Sequence, residues 1–261
     1  MRKLKNIFSW SLLSIYIIAI LGFISEKHSN VMCNRISVNI LDSTKSRFIN
    51  GDDIRNLILS SNDQILGQSI KKINTEKIES ALLKNGVIKT SEVFVTETGE
   101  LHVEITQREP VVRIINKNNV SYYLDKEGTI IPFSKKYTSL VLVTNGYISE
   151  PFDLEQTGNI YTNTNKHHNS VYYDLIKLTN YIHNHEFWNS QIVQVYVNEN
   201  KEFELIPRVG AHIILLGDIS DYEEKFDKLF TLYTEWFNKN SWNDYLYINL
   251  KYKHQVVCSK I

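Results

Sequence analysis

Three kinds of residue pairing in this 261-residue sequence could do chemistry. His167-His168 and His183-x-His185 cluster imidazoles, Asp52-Asp53 and Asp125-x-Glu127 cluster carboxylates, and Cys33 and Cys258 supply the two thiols. Histidines chelate a metal only when they converge on one point. Neighbours at i, i+1 or i, i+2 on a helix diverge, so neither pair makes a ready zinc site. Asp52 and Asp53 fall in the first turn of an amphipathic stretch, where negative charge complements the helix dipole. Asp125 and Glu127 belong to the turn Asp125-Lys126-Glu127-Gly128, and turns select Asp and Gly for backbone reasons. Two cysteines so far apart define no disulfide scaffold or metal site. No G-x-S-x-G, P-loop, dinucleotide glycine pattern or H-E-x-x-H is present. No catalytic residue, metal, cofactor or small-molecule substrate is expected from these residues, so the protein is expected not to be an enzyme.

Composition narrows the class further. Lys plus Arg and Asp plus Glu balance at 29 each, so no nucleic-acid surface is expected. Glycine (10) and proline (4) are scarce, which excludes a linker-rich chain, and the 15 tyrosines suit strands and interaction surfaces. The N-terminus has a different character. Ile7 to Ile24 is an uncharged run that as a helix would rise about 27 Å, close to the hydrocarbon thickness of a bilayer. Its membrane-facing residues would be Ile7, Phe8, Trp10, Leu12, Leu13, Ile15, Ile17, Ile18, Ile20, Leu21, Phe23 and Ile24. Arg2, Lys3 and Lys5 precede it, so residues 1–6 are expected in the cytoplasm and the bulk of the chain outside, in the periplasm or its equivalent. Ile20, Phe23 and Ile24 crowd any small-x-small cleavage site, which favours a retained single-pass anchor over residues 7–25.

Elements of a first module follow. Ile36, Val38 and Ile40 alternate with polar residues as in a half-buried strand. "FINGDDIRNLIL" predicts a helix capped by Asn50, with Ile54, Leu57 and Ile58 on one face. "INTEKIESALLKNG" predicts a second, capped by Asn74 or Thr75, with Ile78, Ala81 and Leu82 inward. A hairpin then turns near Thr98-Gly99. A three-residue loop pairing Glu97 with Leu101 and Val95 with Val103 keeps the apolar residues on one face. Strand, helix, helix, strand, strand is the order of a POTRA module, with a two-layer α+β core.

"ITQREPVVRI" puts Arg108-Glu109-Pro110 between two apolar runs. Proline donates nothing to a ladder, so it marks a hand-over between modules. Strands are expected at Val111–Ile115, Ser121–Leu124 and Thr129–Phe133, then at 191–197, 202–206 and 212–216. "NSVYYDLIKLTNYIHNHEFW" predicts one helix. Residues from Ser220 predict another, with Ser220 and Glu223 as a capping box and Phe226, Leu229, Phe230, Tyr233 and Phe237 inward. A strand with Leu246, Ile248, Leu250 and Tyr252 on its buried face, a turn at Lys253-His254 and a return over Gln255–Cys258 close the chain. The loop from Gly146 to His167 has no assigned role.

A polar-acidic-Pro step followed by "LDKEGTIIPFS", after a POTRA-like module and behind one N-terminal anchor, resembles the FtsQ/DivIB cell-division family. "FINGDDIRNLIL" resembles that family's first POTRA helix. The resemblance implies a POTRA-like domain over 26–109 and a mostly β domain with two packed helices over 110–261. It implies a bitopic scaffold of the bacterial divisome, in the inner membrane and acting in septation, with partners of the FtsB/DivIC and FtsL type. Partner chains would add a strand at the C-terminal sheet edge, read as Tyr245, Tyr247, Asn249, Lys251, Tyr252, Gln255, Val256, Val257 and Cys258. The alternatives are a POTRA-containing outer-membrane assembly or secretion component, and an anchored cell-wall enzyme.

Overall fold

A computed structural model describes residues 10, 12–18, 20, 31–44, 46–61, 64–149, 158–161, 171–237 and 242–260. The chain divides into two compact units, 1–107 and 108–261.

The first unit has β1 (Arg35–Ile40), α1 (Gly51–Ser61), α2 (Thr75–Leu83), β2 (Ile88–Val95) and β3 (Glu100–Gln107). The strands form one sheet in the order β1-β3-β2, with β1 parallel and β2 antiparallel to the central strand. Both helix starts are capped as their sequences predict. Asp53 N–H donates to the Asn50 side chain at 2.9 Å while Asn50 N–H donates to the Asp53 carboxylate at 3.1 Å. Lys77 N–H donates to Asn74 at 2.8 Å. Ile54 and Ile58 of α1, Ile78 and Leu82 of α2, and Leu101, Val103 and Ile105 of β3 are buried together as the unit's core. Gln107 ties off β3: its amide donates to Ser46 O at 2.6 Å and its carbonyl accepts from Ile49 N–H at 3.2 Å.

The β2–β3 loop does have three residues, but they are Glu97-Thr98-Gly99, one residue earlier than predicted. Val95 faces Leu101 and Val93 faces Val103. The register therefore moves by two, and an even shift leaves every apolar side chain on its expected face. Gly99 closes the loop at φ +85°, the left-handed position such loops require, and an added Cβ would meet Met32 O at 2.2 Å.

The second unit contains β4 (Pro110–Ile115), β5 (Ser121–Asp125), β6 (Ile130–Pro132), β7 (Leu142–Gly146), α3 (Val171–Asn184), α4 (Glu186–Gln191), β8 (Ile192–Val197), β9 (Phe203–Pro207), β10 (Ile213–Gly217), α5 (Tyr222–Thr231), β11 (Tyr245–Asn249) and β12 (Val257–Lys260). One nine-stranded sheet runs β12-β11-β10-β9-β8-β7-β4-β5-β6. Pro110 stands first in β4, where a missing donor costs the ladder least. Arg108 just before it reaches Asp125 at 2.9 Å, and the same buried carboxylate accepts from the N–H groups of Glu127 and Thr129 at 2.9 and 2.7 Å. The Asp125 turn and the Arg108 junction are thus one construction.

Several expectations need correction. The predicted single helix over 169–188 is two, because His185 leaves the helical backbone and caps α4, accepting from Trp188 N–H at 3.4 Å. The Ser220–Glu223 capping box does not form: Ser220 turns back to Asp218, and Asp221, in a left-handed conformation, precedes the helix. Phe230 is 40% exposed: it lies at the rim of the core, its ring centroid 5.1 Å from that of Phe187, while Tyr233 and Phe237, in a π-type turn over Leu232–Phe237, are buried. Strand β7, parallel to both β4 and β8, was not predicted. Three helices, not two, contribute buried residues to the core of this unit.

At the N-terminus, Trp10, residues 12–18 and Ile20 are helical with exposed side chains. Among the described residues no helix is long and apolar enough to cross a membrane. Ile7, Phe8, Leu21, Phe23, Ile24, His167 and His168 lie outside the described residues.

Candidate partner-binding edge

A sheet can recruit another chain only where a strand lacks a neighbour. The nine-stranded sheet has two outer strands, and they differ. At β6 the edge is closed. The strand is three residues long and ends in Pro132, Ile130 N–H donates to Gly158 O at 3.0 Å, and Ile160 N–H donates to Gly128 O at 2.9 Å. Asn159 clamps the same segment by donating to Glu127 O at 2.7 Å. At the other end β12 pairs with β11 on one side, and among the described residues no strand lies on its far side.

Beneath this edge the packing is firm. Ile248 and Leu250 are fully buried, and Leu250 N–H donates to Leu215 O at 3.0 Å, extending the parallel β10–β11 pairing. Tyr245 packs on Phe237 with ring centroids 5.8 Å apart. Phe237 in turn meets Trp242 at 4.9 Å and Tyr233 at 5.5 Å. His212 closes this aromatic cluster, its Nε2 2.7 Å from the Tyr233 hydroxyl, and burial pushes its pKa down and that of Tyr233 up.

The turn between β11 and β12 is held differently. Residues 251–255 are all exposed, so burial does little for them. Charge replaces it. Lys228 of α5 donates to Tyr252 O at 3.0 Å and to Lys253 O at 2.9 Å, while Lys251 reaches Glu202 at 2.5 Å. The Lys251 hydrogen bond holds the Glu202 carboxyl below its ordinary pKa. Asp218 is likewise low, chiefly through Ser220 and then the nearly buried Lys225. A cavity of about 220 Å³ lies among these ion pairs, lined in part by Glu202, Asp218, Lys225, Lys228 and Lys251.

The nine residues assigned from sequence divide accordingly. Val257 and Cys258 lie in β12, opposite Asn249 and Ile248. Tyr245, Tyr247 and Asn249 lie in β11, with Tyr247 facing Ile213 of β10. Lys251, Tyr252, Gln255 and Val256 are in the connecting turn rather than in a strand. Ser259 and Lys260, which complete the edge strand, were missed. The turn is longer than Lys253-His254 because Asn249 ends β11 by accepting from Lys251 N–H at 3.0 Å. Leu246 and Tyr252 are 41% and 50% exposed, not buried: the register breaks between Tyr245 and Tyr247, and the strand ends before Tyr252. Cys258 is a half-buried free thiol whose pKa burial pushes up.

The first unit offers less. Cys33 exchanges backbone hydrogen bonds with Gln68 and Gly67, which covers the entry to β1, and Val93 N–H of β2 is taken by the Glu79 carboxylate at 2.7 Å.

An α+β first unit thus precedes a β-rich unit that has one closed sheet edge and, among the described residues, one unfilled one. Each unit contains one family match. Residues 31–106 match the POTRA-like domain, and residues 109–259 match the domain described as FtsQ/DivIB, C-terminal related. No curated protein matches the chain. The second match covers more than half of the sequence, and the chain belongs to the FtsQ/DivIB family, whose members are non-enzymatic scaffolds of cell division.

Proposed function

We propose that this protein is a bitopic scaffold of the bacterial divisome that links other membrane-anchored division proteins by accepting a strand at β12. The observation that carries the reading is the contrast between the two sheet edges: β6 is shut by Pro132 and the Gly158–Ile160 segment, whereas β12 has, among the described residues, a neighbour on one side alone. Each ladder hydrogen bond contributes about 0.5–1.5 kcal/mol net, so a few of them give a modest interface. Anchoring both partners in one membrane raises their effective concentration and makes modest affinity sufficient. The uncharged run Ile7–Ile24 would be that anchor, with the N-terminus in the cytoplasm and both folded units outside. Partners of the FtsB/DivIC and FtsL type, single-span proteins in this family's context, fit the arrangement.

Removal of Val257 to Ile261 tests the proposal, because it deletes the edge strand and spares the buried Ile248 and Leu250. Affinity capture with the full chain should retrieve FtsB/DivIC-type and FtsL-type proteins, and capture with the shortened chain should not. Equal retrieval by both would remove β12 from the mechanism.

A further inference from the structure

We infer that the second unit carries a further docking groove, along α3, for a proline-rich segment of another polypeptide in the polyproline II conformation. The groove does not involve β12, and the inference does not rest on strand addition there.

The groove holds about 650 Å³ and is walled by Tyr161, Tyr173, Tyr181 and Tyr222. Tyr173, Lys177 and Tyr181 recur every four residues, so α3 presents them on one face, over a rise of about 12 Å. Each tyrosine of α3 meets one from elsewhere in the chain. Tyr161 lies against Tyr173 with ring centroids 5.1 Å apart and planes at 50°, and Tyr222 lies against Tyr181 at 5.0 Å and 86°. Inclined pairs make two notches rather than a flat platform. A sugar ring stacks on a flat aromatic face, whereas the ridges of a polyproline II helix seat between inclined ones. That helix advances about 3.1 Å per residue, so the run from one α3 tyrosine to the other matches about four of its residues. The polar groups agree, because they donate. His185 Nδ1 accepts from Trp188 N–H, which leaves the ring proton on Nε2. Lys177 stands between the notches, its Nζ 5.0 Å from the centre of the Tyr222 ring, and Asn184 is exposed at one end. The Tyr161 and Tyr181 hydroxyls have no hydrogen-bond partner among the described residues. No carboxylate among the described residues lines the groove. A proline-rich segment has the complementary need: its carbonyls make no internal hydrogen bonds, and proline has no N–H to satisfy. A glycan brings donors as well as acceptors, which a lining without carboxylates serves poorly.

Decaproline titrated into the full chain in a membrane mimetic, with fluorotyrosine at every tyrosine, tests this. Fluorine resonances of Tyr161, Tyr173, Tyr181 and Tyr222, assigned through single Tyr→Phe variants that keep each ring, should move during the titration, and those of the other tyrosines should stay. Tyr161→Ala and Tyr222→Ala each remove one wall of a notch without altering α3, and each should weaken decaproline binding at least about tenfold. Removal of Val257 to Ile261 should leave that binding unchanged. Decaproline that moves none of the four resonances overturns the inference, and so does decaproline that moves those of Tyr245 and Tyr247 instead. Chitotetraose that moves the four resonances where decaproline does not would make the groove a sugar site and also overturn it. The resonances are read on a chain with all its tyrosine rings in place, so the result stands even if an alanine variant fails to fold.

Discussion

At the scale of single residues, Asp125 organises the start of the second unit. Its carboxylate is nearly inaccessible and receives Arg108 and two turn N–H groups. Removing it leaves two donors unpaired and leaves Arg108 only the longer contact to Glu127 at 3.8 Å. Asp125→Ala should therefore lower the unfolding free energy by about 3–5 kcal/mol, the range for breaking a buried pair from one side. Asp125→Asn keeps an acceptor for the N–H groups and should cost less, about 1–3 kcal/mol. Urea denaturation of both variants checks the order. Half of this residue's role is legible locally: the D-K-E-G pattern identifies a turn, but nothing nearby ties it to an arginine 17 positions earlier. Glu202 carries a pH prediction. Its folded pKa is depressed below the ordinary 4.5 through Lys251. A depressed carboxylate stabilises fully above its unfolded value and loses that contribution as pH falls through the folded one. Exchange protection in the β11–β12 turn should thus hold at neutral pH and fall below about pH 4.5. A turn whose protection is flat from pH 6 to 3 would show that the Lys251–Glu202 pair does not hold it.

At the scale of elements, helices and hairpins were legible where chain-local rules decide. Asn50 and Asn74 cap as their type demands. The β2–β3 hairpin kept its faces although its register was off by two, since only parity matters to burial. Failures came where distant contacts decide. Strand β7 is five residues of mixed character, Leu142 to Gly146, and becomes a strand because β4 and β8 flank it. The end of β11 depends on the Asn249 side chain, and the return strand is displaced toward Lys260 as a result. Lys228 joins helix to hairpin across 24 and 25 positions. Lys228→Met keeps the aliphatic stem and removes both hydrogen bonds. It should raise amide exchange over residues 251–256 by about 5–30-fold, equivalent to about 1–2 kcal/mol of local stability, and leave the global melting midpoint nearly unchanged. Lys228→Arg should restore most of the protection. A uniform change across the whole unit would place Lys228 in the core rather than on the turn.

At the scale of the whole molecule, two units with separate cores divide at Gln107 and Arg108. Each has its own sheet and its own buried cluster, so residues 108–261 expressed alone should unfold in one cooperative transition. Loss of cooperativity in that fragment would mean the second core is incomplete by itself. Fold class and family were legible because order of elements survives errors of register and boundary. A sheet edge near the C-terminus was legible in outline, through its alternating apolar residues. Its true strand was not, because β12 is defined by pairing with β11 rather than by its own pattern. The central claim is that β12 completes its ladder with another chain. Amide exchange measured on the full chain in a membrane mimetic, with and without its FtsB/DivIC-type partner, addresses this directly. Protection should rise over Val257–Lys260 on binding. Partner binding that leaves those four amides unchanged and protects another surface would contradict the account.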